Sequence, residues 1–107
     1  MSDSSAKMKA FAQRIQEGIG LIKQGDYQSG YEQLKPYVVL MKEAGSTPVR
    51  LFSYYAIAQF KQGDIDGFLE TYESLKAIEP SDKEEEKAIA TIEEWFHALM
   101  NEMGQRD

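Results

Sequence analysis

Lys23-Gln24-Gly25-Asp26-Tyr27 and Lys61-Gln62-Gly63-Asp64-Ile65 are nearly the same phrase, and their glycines stand 38 residues apart. Glycine suits the left-handed residue that ends a helix, and an aspartate directly after it suits the N-cap of the next one. Each phrase therefore reads as a turn between two helices. Its recurrence reads as the recurrence of a whole helix–turn–helix unit.

Outward from these turns, apolar residues fall at helical spacing. Before the first turn Met8, Phe11, Ile15, Ile19 and Ile22 form one stripe at steps of 3 and 4, and residues 1–5 read as a loose polar tail. After it, a second helix is expected from Tyr27 to about Glu43, with Tyr31, Leu34, Val38 and Met41 along one side. Pro36 lies inside that helix, where it has no N–H for the Glu32 carbonyl and crowds it, so a kink or short break is expected. Thr47-Pro48 reads as an N-cap and a first-turn proline opening a third helix that ends at Gln62. This helix is apolar on nearly every side and must be covered on most of its faces. The fourth helix carries Ile65, Phe68, Leu69, Tyr72 and Leu75 and stops before Pro80. Ser81 and Glu84 match a capping box opening a fifth helix, with Ile89, Ile92, Phe96, Leu99 and Met103 in its stripe. Nothing alternates with period two, so no strand is expected. The expected fold is all-α, a stack of about five helices in antiparallel hairpins.

The 107 residues suit one domain with no second core. Twelve Lys+Arg against eighteen Asp+Glu give a net charge of −6, which disfavours nucleic acid and anionic membranes as partners. The absence of cysteine excludes disulfides, thiolate metal sites and a cysteine nucleophile. No apolar stretch marks Met1–Ser5 as a signal peptide and no run is long enough for a membrane span, so the cytoplasm is the expected compartment.

The K-Q-G-D-Y phrase between amphipathic helices resembles the inter-helix turn of a tetratricopeptide repeat (TPR). In the second unit Phe52 falls where that family favours Trp, Ala56 at a small position, Tyr72 at a large aromatic and Pro80 at the closing proline. In the first unit Gly18 and Gly30 fall at the small positions where paired helices touch. Phe68 and Leu75 stand where the family prefers alanine, and Leu34 replaces the first unit's aromatic. The resemblance implies a right-handed TPR-like stack: repeat one over about 8–44, repeat two over about 47–80 and a capping helix over about 81–104. Two such units are near the minimum that buries a continuous core.

Catalytic chemistry has little to stand on. His97, the single histidine, sits off the apolar stripe beside Glu93, Glu94 and Asn101 and reads as a solvated surface residue. Gly18-Ile19-Gly20 lies within a helical stripe with no strand before it, so it reads as close helix packing and not as a phosphate loop. Glu84-Glu85-Glu86 matches the dipole of a helix start. Of the adjacent Tyr54 and Tyr55, about 100° apart on a helix, Tyr54 is expected to be the more accessible. The chain is expected to be no enzyme and to need neither cofactor nor metal.

In TPR proteins the first helix of each unit lines a concave groove. The resemblance places Ile15, Ile19, Ile22 and Lys23 there from unit one, and Arg50, Ser53, Tyr54, Ile57, Phe60 and Lys61 from unit two. Family members that hold a C-terminal carboxylate use a Lys and Asn pair where this chain has Ile15 and Ile19, which argues against that kind of clamp. The remaining apolar trough suits an amphipathic helix of a partner protein, as in an adaptor or small chaperone. The second reading is a structural unit that self-associates as a homodimer through its repeat ends.

Overall fold

Three left-handed glycines set the course of the chain. Gly25, Gly45 and Gly63 have φ of +93°, +73° and +83°, a region costly for any residue with a Cβ. Each closes a helix in the same way. The N–H of the residue after the glycine reaches back five residues: Asp26 to the Leu21 carbonyl, Ser46 to Met41 and Asp64 to Gln59, all at 2.9 Å. Asp26 and Asp64 then cap the next helices, their Oδ1 atoms accepting from the N–H of Ser29 at 3.3 Å and of Gly67 at 3.0 Å. The two copies of the phrase thus build the same joint.

The computed structural model describes residues 2–104, with side chains from residue 6 onward. Among these residues it contains five helices and no strand: α1 (Ser2–Lys23), α2 (Tyr27–Glu43), α3 (Val49–Lys61), α4 (Ile65–Leu75) and α5 (Lys83–Gly104). The fold is all-α. α1 starts at Ser2, ahead of the expected boundary after residue 5; Met1 and the side chains of residues 2–5 lie outside the described residues.

Two helix starts differ from expectation. Pro48, expected as the first helical residue, is the N-cap of α3: its backbone is extended (φ −61°, ψ 120°) and no side chain caps the helix. At α5 the cap is Asp82, one residue after the expected Ser81. Its Oδ1 accepts from the Glu85 N–H at 2.8 Å, while Glu85 accepts from the Ser81 N–H and hydroxyl, both at 2.8 Å. The shift releases Glu84 for contacts elsewhere. α2 runs unbroken through Pro36, which is exposed, so water can reach the Glu32 carbonyl that the proline leaves without a donor.

α3 is the centre of the molecule. It packs against α1, α2, α4 and α5, and eight of its thirteen residues are buried. Its Leu51 and Phe52 pack in one core with Leu34 and Val38 of α2, Phe68 of α4 and Ile92 of α5. One buried polar pair crosses this core: Thr71 of α4 donates to Gln59 Oε1 of α3 at 2.7 Å. The α1–α2 seam is tight because it is made of glycines. A Cβ on Gly18 would meet Leu34 Cδ2 at 2.7 Å, and one on Gly30 would collide with Ile22 and lie 2.9 Å from the Gly18 carbonyl oxygen.

Candidate functional site

The residues expected to line a groove go to three different places. Ile19, Ile22 and Ser53 are buried in the core. Their apolar or small side chains are spent on joining α1 to α3, so they present nothing to a partner. Ile15 and Ile57 pack half-buried against the same core. Phe60 is covered from within the chain: its ring stacks on Trp95 of α5 at 4.5 Å and meets Phe68 edge-on at 5.1 Å. Lys61 is exposed and lies over the Trp95 ring at 5.1 Å and the Tyr27 ring at 5.9 Å.

The other three, Lys23, Arg50 and Tyr54, meet at a polar junction that α5 completes. Lys23 Nζ pairs with Glu84 Oε2 at 2.8 Å, and the Tyr54 hydroxyl donates to the same oxygen at 3.1 Å. Arg50 pairs with Asp82 at 2.9 Å and lies 3.7 Å from Glu84. The hydrogen bond from Lys23 holds the Glu84 carboxyl below its ordinary 4.5, and the same bond holds Lys23 above its ordinary 10.5. Burial, followed by the bond to Glu84, raises the Tyr54 phenol. Tyr54 is half-buried and Tyr55 is buried, so Tyr54 is the more accessible of the pair. The cavity at this junction, about 220 Å³, is rimmed by Gln16, Lys23, Arg50 and Glu84. Its cations already have carboxylate partners. The face shared by α1, α3 and the start of α5 is therefore a strapped polar surface, where an apolar trough was expected.

The open apolar surface lies on the opposite side of α5. α5 packs mainly on α3, through Ala88 and Ile92 and the Phe60–Trp95 stack. It touches α4 more sparsely, with Tyr72 stacked on Phe96 at 4.2 Å. The bulk of these rings keeps the two helices apart and leaves a cleft of about 330 Å³. Tyr72, Leu75 and Ile92 form its buried floor, and Ile78 and Ile89 form its walls. Its rim carries Glu79, Glu86 and Glu93 against one cation, Lys76. The positions are visible in the sequence. The separation of α4 from α5 is not, because it depends on how far apart Tyr72 and Phe96 hold the helix axes.

Among the described residues no cluster of three or more His, Cys, Asp or Glu could hold a metal ion, and no helix is long and apolar enough to cross a membrane. Comparison of the chain with family models, curated proteins and solved structures gives no significant match.

Proposed function

We propose that this chain is a non-enzymatic protein-interaction module, a cytoplasmic adaptor or small chaperone. In this reading it is a TPR-like stack of two helical hairpins and a capping helix, and it docks an amphipathic helix with basic flanks in the α4–α5 cleft. The TPR-like part is supported by the duplicated glycine–aspartate joint, the glycine contact of α1 with α2 and the central place of α3. The observation that carries the function is the cleft itself. Its floor is apolar, it encloses about 330 Å³, and its rim carries three carboxylates and one lysine. An apolar groove reads an amphipathic helix through anchors at i, i+3, i+4 and i+7, and the rim selects the sign of the flanking charge.

The test is fluorescence anisotropy with a labelled synthetic amphipathic helix carrying a Leu stripe and Lys flanks. Ile89→Asp places a charge in the cleft wall, so binding should weaken by about tenfold or more, with circular dichroism confirming that the helices are kept. An analogue with Glu flanks should not bind. Equal binding by the wild type and Ile89→Asp would refute the cleft as the docking site. Charging Ile57 and Phe60 is not an equivalent test, because Phe60 holds α5 in place through Trp95.

A further inference from the structure

We infer that the helix fitting the α4–α5 cleft is carried by the chain itself: the exposed face of α1 in a second copy, giving head-to-tail association. The inference rests on the cleft being a docking site, as proposed above, and names its occupant.

The charge of the molecule is divided unevenly. Residues 1–53 hold seven Lys+Arg and five Asp+Glu, while residues 54–107 hold five and thirteen. The basic end also bears most of the exposed large apolar residues: Met8 is 71% and Phe11 40% exposed on α1, and Val39 and Leu40 are exposed on α2. Within α1, residues 6–16 include Lys7, Lys9 and Arg14 and no acid.

The two surfaces match in register. On α1, Lys7, Ala10, Phe11 and Arg14 border one shallow apolar depression, at positions i, i+3, i+4 and i+7. On α5, Glu86, Ile89, Ala90 and Glu93 line the cleft at the same four spacings. Each pair of like charges is therefore about 10.5 Å apart along its helix, and each encloses two apolar residues. Where α1 offers the bulky Phe11, α5 offers the small Ala90. With α1 laid along α5, Lys7 and Arg14 meet the two glutamates while the exposed edge of Phe11, whose ring also packs against Tyr37 of α2 at 5.0 Å, faces the cleft. The match holds with the two helices parallel, where Lys7 faces Glu86, Phe11 faces Ala90 and Arg14 faces Glu93.

The contact is heterologous, because the α1 face and the α5 cleft are different surfaces, carried by the first and last helices of the chain. Pairing two copies leaves one α1 face and one cleft free, so association continues beyond a dimer unless a ring closes. It depends on charge and is screened by salt.

The experiment is sedimentation velocity on the full chain from micromolar to several hundred micromolar, in low and high salt. The mass should rise with concentration past that of two copies in low salt, and fall toward the 12.2 kDa of one chain in high salt. Two charge-reversed variants sharpen the test: Lys7→Glu with Arg14→Glu, and Glu86→Lys with Glu93→Lys. Each alone should weaken association by at least about tenfold, since like charges then face each other. Mixed in equal amounts they should associate again, because each supplies the partner that the other's reversed surface requires. A misfolded variant cannot produce that rescue. A wild-type chain that stays monomeric throughout, or a mixture that fails to recover, overturns the inference. If the chain is monomeric while the basic synthetic helix still binds the cleft, self-docking is overturned and the docking function stands. If neither occurs, both are refuted.

Discussion

The α1–α2 seam and the α4–α5 seam join helices of the same kind of stack, yet one is sealed and the other open. In the first, Gly18 and Gly30 let the helices approach until backbone meets side chain, leaving no room for a methyl group. In the second, Tyr72 and Phe96 stand between the helices as stacked rings and leave an apolar cleft with an acidic rim. Residue size at the contact decides whether a seam serves as core or as surface.

The sharpest way to break this contrast is Gly30→Ala. The new methyl would collide with Ile22 and press on the Gly18 carbonyl, so about 2–3 kcal/mol of stability should be lost, lowering the midpoint of thermal unfolding by about 10 °C or more. An unchanged melting curve would mean that the seam is not closely packed. A second change probes the polar pair inside the α3–α4 contact. Thr71→Val keeps the shape but strands the buried Gln59 amide oxygen, at a cost of about 1–2 kcal/mol in denaturant titration.

The third prediction concerns pH. In the folded chain the Glu84 carboxyl lies below its ordinary value, chiefly because Lys23 donates to it. Its contribution is therefore complete above about pH 4.5 and disappears as the pH falls through the lowered folded value. Glu84→Gln should show a small loss of stability at neutral pH and a shallower acid limb, read by circular dichroism from pH 7 to pH 3. An identical acid limb in both proteins would remove Glu84 as the clasp of α5. The smallest expected effect is the counterpart of the first. Ala90→Leu adds three carbons on the open side of α5, where Ala90 is exposed, and should change stability by less than about 0.5 kcal/mol. By filling the cleft it should still abolish binding of the basic helix. A methyl that wrecks one seam and a butyl side chain that the other accepts would establish the difference directly.

Much of the fold was legible. The two Lys-Gln-Gly-Asp phrases mark the joints that form, and the apolar stripes locate all five helices within a few residues. The wide apolar coverage of α3 signals its central position, because such a helix cannot face water. The site was less legible. Ile19 and Ile22 on α1 follow the spacing of a groove lining and of a core equally well, and packing against α3 makes them core. The capping shift from Ser81 to Asp82 was hidden because both residues can cap, yet it is what frees Glu84 to reach Lys23 and Tyr54. The α4–α5 cleft was invisible because sequence spacing gives the direction of a side chain along its helix and says nothing of the distance between helices.

The central claim is that partners are received between α4 and α5 and not on the α1–α3 face. Nuclear magnetic resonance of the labelled chain, titrated with the basic amphipathic helix, tests it residue by residue. The account predicts that backbone signals of Ile78, Glu86, Ile89 and Glu93 shift progressively while those of Gln16, Arg50 and Tyr54 stay in place. Shifts confined to the latter group would contradict it.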